Sequence, residues 1–189
     1  MMVAPIRSVV IALPNLDLAD FRPDAPCPQT AVMPETACEP GVIHGVVTRA
    51  LVAHADSRGS LCELLTTRDG PIEPILHVYA VRAEIGSVRA WVYHRRQFDR
   101  LAFTQGRFRV VLCDIRPDSP TRNMLNVFVL GRERPTLLRI PPYVIHGVQN
   151  IGTEAATFIN MPTMPYRSDE PDKCRLDPGD KRIPFSFDE

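Results

Sequence analysis

Two histidines and one aspartate have a spacing that suits a shared site. His94 lies two residues after Val92, so on a strand both side chains point to the same face. Asp99 follows shortly after, and His146 lies in a second segment, residues 141–150. Two histidines and a carboxylate are the ligand set of a facial-triad metal site. The alternative is a polar cavity in which the three groups only hydrogen-bond to their neighbours.

Both segments resemble the two sequence signatures of the cupin superfamily. The first signature, Gly-x5-His-x-His-x(3,4)-Glu-x6-Gly, matches residues 86–106 in spacing, with Val92 for the first histidine and Asp99 for the glutamate. The second, Pro-x-Gly-x2-His-x3-Asn, matches residues 141–150, with Tyr143 for the glycine. The resemblance implies a double-stranded β-helix, or jelly-roll barrel, whose interior holds the histidines.

The rest of the chain predicts the strands that such a fold needs. Residues 46–161 contain short runs rich in β-branched and aromatic residues, separated by glycines, without long helical periodicity. This pattern predicts an all-β sandwich or jelly roll. We expect one cupin domain at residues 46–189, ending in an irregular, proline-rich C-terminal tail. Residues 1–45 are expected to form an N-terminal arm, irregular or wrapped on a partner subunit.

Composition excludes several functional classes. The chain has 189 residues, with 22 Lys plus Arg against 22 Asp plus Glu, so no general basic field would recruit nucleic acid or an acidic membrane. No apolar run reaches the length of a membrane span, and residues 9–13 are too short for a secretion signal. The five cysteines include no C-x-x-C pair, which favours reduced thiols and a cytoplasmic protein.

More specific motifs resemble one cupin branch, the dTDP-4-dehydrorhamnose 3,5-epimerase family, over about residues 46–187. Four segments carry the resemblance: residues 56–63 (DSRGSLCE) for D-x-R-G-x-F-x-E, 89–92 (RAWV) for R-G-L-H, 114–121 (DIRPDSPT) for D-I-R-x-G-S-P-T, and 140–147 (IPPYVIHG) for I-P-P-G-F-A-H-G. A fifth, around Tyr166, is similar to the tail of a divergent subgroup. The motifs occur in the family's order.

The resemblance implies proton transfer next to a ketone. A 4-keto group acidifies the hydrogens at C3 and C5 of a nucleotide-linked sugar; a base removes one, and an acid reprotonates the other face. In the family the base is the histidine of R-G-L-H, oriented by an aspartate, and a lysine helps stabilise the enolate. Here Val92 occupies the position of the base and Asp99 that of the lysine.

Other family roles carry over more directly. Arg58 and Arg89 match the arginines that hold the diphosphate, and Glu63 matches the nucleotide contact. Asn150 completes the second signature as a further substrate-binding residue. Arg89 is also expected in an interior strand, where a buried arginine needs an anionic partner.

The catalytic candidates are four residues. Tyr166 matches the family's acid, and Asp177 is the candidate for the aspartate that orients the base. His94 and His146 are the two candidates to replace the base that Val92 cannot supply.

Three functional hypotheses remain open. The first is an epimerase or isomerase acting on a nucleotide-diphospho-4-keto-sugar without a cofactor. The second is a catalytically impaired cupin that only binds the sugar nucleotide, and the third is a metal-dependent cupin using His94, Asp99 and His146. The family also implies a homodimer, and we expect neither nucleic acid nor membrane as a partner.

Overall fold

The computed structural model describes residues 7–10, 17–20, 22–23, 41–66 and 72–188, with the backbone alone at 7–10 and 22–23. Most of the predicted arm, residues 1–45, lies outside these ranges, so its boundary with 46–189 stays a prediction. Two described pieces of the arm are strands, β1 (Arg7–Val10) and β2 (Arg22–Pro23), and both pair with strands of the same chain.

Short strands form nearly all of the regular structure. A 3-10 helix spans Leu18–Asp20. The strands that follow β2 are β3 (Val47–Ala50), β4 (Ala53–Asp56), β5 (Gly59–Cys62), β6 (Tyr79–Ala83), β7 (Val88–His94), β8 (Asp99–Phe103), β9 (Arg107–Asp114), β10 (Met124–Gly131), β11 (Thr136–Ile140), β12 (Val144–Asn150), β13 (Ala156–Asn160) and β14 (Lys173–Arg175). Among the described residues, no helix is long and apolar enough for a transmembrane span.

The strands form two large antiparallel sheets and one hairpin. The first sheet has the order β1-β10-β9-β12-β7-β14-β2, the second has β3-β11-β8-β13-β6, and β4 pairs with β5 alone. The predicted all-β cupin architecture is confirmed. The predicted barrel is not closed, however, because in the described part of the chain no ladder joins the edges of the two large sheets.

The hydrophobic core lies between the two large sheets. In β9, Phe108, Val110 and Leu112 belong to this core, together with Phe103 of β8 and Leu138 of β11. All five are almost completely buried. Because successive residues of a strand point to opposite faces, the residues between them in β9 face the other side of the first sheet. The inner face of each strand is thereby defined.

The C-terminal tail covers the outer face of the first sheet. Strand β14 pairs with β7, and Phe187 packs on Trp91 with ring centroids 4.9 Å apart. A Cβ atom at Gly147 would lie 2.8 Å from the Phe187 ring and 2.7 Å from the Ala90 Cβ atom, so this contact requires glycine. The tail is thus irregular, as predicted, but it docks on β7, the strand that carries His94.

Candidate active site

Three strands bring the predicted residues to one place. In β7, Trp91 and Tyr93 pack into the outer cluster under the tail, so Val92 and His94 point inward. In β12, His146 is in register with Val92 on one side and with Leu112 on the other, which places all three on the inner face. Asp99 begins β8 in the facing sheet.

The three side chains meet at one carboxylate oxygen. The Asp99 Oδ2 atom lies 3.3 Å from the Nε2 atom of His94 and 3.3 Å from the Nε2 atom of His146. The two imidazole rings are stacked, with centroids 6.0 Å apart, and all three residues are buried. The convergence predicted from their spacing is confirmed, and we call this group the histidine cluster.

The second ring nitrogen of each histidine also faces an acceptor. The Nδ1 atom of His94 lies 3.5 Å from the Asp172 Oδ2 atom. The Nδ1 atom of His146 lies 3.1 Å from the Val144 carbonyl oxygen; since a carbonyl only accepts, this nitrogen carries a proton. Burial opposes a charged His94 ring, but the Asp99 and Asp172 carboxylates outweigh it and raise the pKa of His94 to about 9. His94 is therefore protonated at neutral pH.

Both carboxylates are kept ionised by their neighbours. Burial opposes the charge of Asp99, but the two histidines hold its pKa well below the usual value. The pKa of Asp172 is lowered in the same way, against burial, by His94 and by backbone hydrogen bonds. Gln97 links the two carboxylates: its backbone N–H donates to Asp172 at 3.0 Å, and its side-chain amide donates to Asp99 at 2.7 Å.

The cluster opens onto a cavity at His94. This cavity is also lined by Tyr166, Tyr79, His77 and Asp172. Tyr166 is exposed, and its backbone N–H donates to the Nδ1 atom of His77 at 3.3 Å. The predicted acid and one predicted substitute for the base therefore face the same space.

Two aspartates lie beside His94, Asp99 and Asp172, and neither is the predicted Asp177. Asp177 lies in an exposed turn, where its carboxylate accepts from the Gly179 backbone N–H at 2.8 Å. Asp172 is brought to His94 because β14, which begins at the next residue, pairs with the end of β7. The sequence signal was Glu170-Pro171-Asp172, part of the tail that resembles the subgroup.

Arg58 and Glu63 lie on the separate hairpin. Arg58 stands in the turn between β4 and β5, where its guanidinium donates to the Asp56 carboxylate at 2.6 Å, and its side chain is 88% exposed. Glu63 is exposed at the residue after β5. Neither is among the residues that line the cavity at His94. Their roles as nucleotide contacts stay predictions.

Arg89 and Asn150 lie outside the histidine cluster. The expectation that Arg89 is buried is wrong, because burial in β7 begins only at Trp91. Asn150 is fully buried, and its amide donates to the backbone carbonyls of Ala83 and Glu154 at 3.0 and 2.9 Å. These contacts give Asn150 a structural role, while its place as a substrate contact stays a prediction.

A second buried aspartate, Asp114, organises the segment that resembles D-I-R-x-G-S-P-T. Its carboxylate accepts hydrogen bonds from Arg116, Ser119 and Thr121 at 2.8, 2.5 and 2.7 Å. Arg116 also donates to the His44 carbonyl oxygen at 2.7 Å. These contacts tie the strand β9 to the chain that precedes β3, so we call them the Asp114 cluster and assign it to the scaffold.

The sequence and the fold are similar to those of known sugar-nucleotide enzymes. Residues 41–187 match the family model described as dTDP-4-dehydrorhamnose 3,5-epimerase. The spore coat polysaccharide biosynthesis protein SpsL of Bacillus subtilis is 34% identical over 146 residues, covering 77% of this chain and 97% of SpsL. The probable low-salt glycan biosynthesis epimerase Agl13 of Haloferax volcanii is 37% identical over 137 residues, covering 71% of this chain and 87% of Agl13.

A solved structure agrees with these relatives. The crystal structure of a dTDP sugar isomerase from Desulfovibrio desulfuricans G20 superimposes with a TM-score of 0.72 and 28% identity, covering 77% of this chain and 92% of that chain. Together these similarities define an enzyme of the dTDP-sugar epimerase type. The chain belongs to the dTDP-4-dehydrorhamnose 3,5-epimerase family.

Proposed function

We propose that this protein is an epimerase or isomerase of a nucleotide-diphospho-4-keto-sugar that exchanges a proton at C3, C5 or both. One observation carries the proposal: His94, held between the carboxylates of Asp99 and Asp172, lines the same cavity as Tyr166. Epimerisation at a carbon next to a ketone needs two proton-transfer groups, a base on one face of the sugar and an acid on the other.

His94 and Tyr166 are the proposed pair. Because His94 is protonated at rest, it must first release that proton to solvent through the cavity; the neutral ring then takes the proton from the sugar carbon, and Tyr166 gives its own proton to the opposite face. An epimerisation run in both directions uses each group once as donor and once as acceptor. Asp172 takes the role, first assigned to Asp177, of orienting the ring. His146 is proposed to stabilise the charge of Asp99 from behind His94, while Val92 carries no proton.

The nucleotide is proposed to bind through arginine and glutamate. Arg89 is exposed, and within the described ranges its guanidinium makes one long hydrogen bond, 3.4 Å, to the Arg82 carbonyl oxygen. A guanidinium in this state suits a diphosphate oxygen. Arg58 and Glu63 lie on the exposed hairpin, so we propose that they contact the nucleotide. Asn150 supports the end of β12.

We extend the proposal to a cytoplasmic homodimer that needs no cofactor. Support for self-association comes from apolar side chains that are widely exposed on one protomer: Leu61 is 66% exposed and Leu76 is 60% exposed. Exposed apolar side chains of this kind are often covered by a partner. Because the hairpin that carries Leu61 also carries Arg58, a partner there would lie close to a proposed nucleotide contact.

Deuterium exchange tests the function. The protein is incubated in deuterium oxide with dTDP-4-keto-6-deoxyglucose, then with the UDP, GDP and CDP analogues, and label at C3 and C5 is followed by NMR. We expect label with at least one of these sugars, and loss of label in the Tyr166→Phe variant. Binding of a sugar nucleotide without any exchange would overturn the proposal in favour of a binding-only cupin.

A metal-dependent cupin is the second candidate, favoured by the geometry of the histidine cluster. The ligand atoms of His94, Asp99 and His146 all lie within 4.8 Å of one another. Neighbouring ligands on a metal with bonds of about 2.1 Å stand about 3 to 3.5 Å apart, and the two nitrogen-to-oxygen distances are both 3.3 Å. The Nδ1 atoms face acceptors, as those of metal-bound histidines do.

The two candidates exclude each other at His94, because a metal-bound Nε2 atom carries no proton. The histidine cluster fits a divalent transition metal, which would supply a Lewis acid there. Elemental analysis of protein purified without chelator decides between them. Stoichiometric metal, together with a Co(II) absorption spectrum that His146→Gln abolishes, would support the metal site. Less than about one tenth of an equivalent, even after metal is added, would end this candidate.

A further inference from the structure

Besides Tyr166, the cavity is lined by a second tyrosine, Tyr79, which has no role in the proton transfer proposed above. It begins β6 and stands in register with Asn160 of β13. Its ring lines the cavity together with His94 and Tyr166, and 37% of the residue is exposed. Its hydroxyl group therefore combines access to the cavity with a contact to the interior of the sheet.

Asp99 fixes the orientation of the Asn160 amide. The Nδ2 atom of Asn160 lies 3.1 Å from the Asp99 Oδ1 atom and 2.8 Å from the Tyr79 hydroxyl oxygen. An ionised carboxylate only accepts, so the amide must present its NH2 group to it. The other hydrogen of this NH2 group is then donated to Tyr79. The amide cannot be turned over without placing its oxygen against the carboxylate.

The direction of the Tyr79 hydroxyl follows from this arrangement. Its oxygen accepts from Asn160, so its own hydrogen must point elsewhere. No acceptor for that hydrogen is found among the described residues, and Tyr79 lines the cavity, so a ligand bound there can accept it. Packing against the His77 ring, with centroids 5.1 Å apart, holds the phenol in place. Tyr79 is thus a preoriented hydrogen-bond donor.

We propose that the Tyr79 hydroxyl donates a hydrogen bond to the ketone oxygen of the bound sugar and stabilises the enolate. This inference rests on the proposed function. When a proton leaves the carbon next to the ketone, the C–H electron pair forms the carbon–carbon double bond and the carbonyl pair moves to oxygen. Tyr79 keeps its own proton and strengthens its hydrogen bond as the negative charge develops.

The site needs such a donor because of Asp99. The family resemblance places an enolate-stabilising lysine at this position, and a carboxylate cannot take that role. Asp99 instead acts through Asn160, whose hydrogen bond to the Tyr79 oxygen leaves the hydroxyl hydrogen free to point towards the ligand. Asn160 is in this account a positioning residue, and Tyr79 is a catalytic one. Burial and the nearby charge of Asp99 raise the pKa of Tyr79, and the opposing effects of Asn160 and Arg89 are smaller, so the phenol keeps its proton.

The test compares Tyr79→Phe with a matched control, Tyr143→Phe. Tyr143 is equally exposed, at 37%, but stacks on Tyr93 of the outer cluster. Removing one preoriented donor to a developing oxyanion lowers kcat by about 100-fold. We expect this loss in deuterium exchange by Tyr79→Phe, with KM changed much less and with dTDP affinity and thermal midpoint unchanged. Tyr143→Phe should exchange at the wild-type rate.

Two outcomes would overturn the inference. One is exchange by Tyr79→Phe within threefold of Tyr143→Phe. The other outcome is measured only if the wild type binds the keto-sugar without exchanging deuterium, which would mean that the proposed function itself is wrong. In that case, binding replaces exchange as the measurement: the affinity for the keto-sugar nucleotide is divided by the affinity for dTDP, so that only the contribution of the sugar remains. If this ratio is the same in Tyr79→Phe and Tyr143→Phe, Tyr79 makes no hydrogen bond to the sugar and the inference is wrong.

Discussion

In the part of the chain that the structure describes, two aspartates are almost completely buried, and they have different kinds of partners. Asp114 is bound by one guanidinium and two hydroxyls, while Asp99 faces two imidazoles and two side-chain amides. Burial opposes the charge of both, and in both the partners lower the pKa again. The two sets of partners differ in one property: the imidazoles beside Asp99 can gain or lose a proton near neutral pH, while the guanidinium and hydroxyls beside Asp114 cannot.

This difference separates scaffold from site. Arginine does not release its proton and hydroxyls do so only at high pH, so the Asp114 cluster keeps one charge state and locks a loop. Histidine changes its charge within reach of neutral pH, so the Asp99 carboxylate controls a group that can move protons. Only the histidine cluster has a member, His94, on the wall of the cavity.

Replacing His94 with Gln should have the largest effect, and this effect should be on the reaction rate and not on stability. Loss of a general acid–base group lowers the exchange rate by about 10²- to 10⁴-fold. The measurement is the initial rate of deuterium incorporation at C3 and C5, with dTDP affinity as the check on the site. His54→Gln, on the exposed strand β4, is the control. Equal rates in the two variants would remove His94 from the mechanism.

Asp114→Asn should instead act on stability. Breaking a buried ion pair by removing one partner costs about 3 kcal/mol, and we expect a loss of this size in the free energy of unfolding in urea. Asp118→Asn, in the same loop but exposed, should change it by less than about 0.5 kcal/mol. If Asp114→Asn were as stable as Asp118→Asn but failed to exchange deuterium, the assignment of the Asp114 cluster to the scaffold would be wrong.

Acid should remove the contribution of Asp114. Its pKa is lowered from 3.8, because hydrogen bonds and the charge of Arg116 outweigh burial. The stability that depends on this ionised carboxylate is complete above 3.8 and is lost as pH falls through the lower, folded-state value. The difference in unfolding free energy between wild type and Asp114→Asn, measured from pH 6 downwards, should therefore shrink only below about pH 4. A difference that stays constant into strong acid would contradict this.

Ser119→Ala should have the smallest effect. It removes the hydrogen bond that the Ser119 hydroxyl donates to Asp114 at 2.5 Å, together with longer ones to Arg116 and Thr121. The bond to the charged acceptor dominates, and its loss costs about 1.5 kcal/mol of unfolding free energy. Exchange of deuterium should proceed at the wild-type rate, because Ser119 lines a different surface from the His94 cavity. A fall in exchange without a fall in stability would show that the two clusters are coupled.

The sequence predicted the part of the site that depends on local periodicity. Val92 and His94 share a face because strand residues alternate, and the signature spacing correctly brought Asp99 and His146 to the same place. The all-β cupin architecture followed from short strands separated by glycines. The structure also explains why the second signature has a glycine where this chain has Tyr143. The φ of Tyr143 is 61°, in the left-handed region that favours glycine.

The rest depended on contacts between distant parts of the chain. Asp172 reaches His94 through the pairing of β14 with β7, and Asn160 reaches Tyr79 through the register of β13 on β6. No local pattern encodes either register. The expected burial of Arg89 failed for a related reason, since alternation sets the face of a residue but not how far along the strand the core extends.

Deuterium exchange by the wild type and by Asp99→Asn, measured side by side, tests the central claim most directly. The claim is that the carboxylate of Asp99 makes His94 the group that moves the substrate proton. We expect the wild type to incorporate deuterium at C3 or C5 of a nucleotide-linked 4-keto-sugar. Asp99→Asn should lose at least about 100-fold in rate, with its dTDP affinity intact. Exchange by Asp99→Asn at the wild-type rate, or no exchange by the wild type with any nucleotide, would contradict the account.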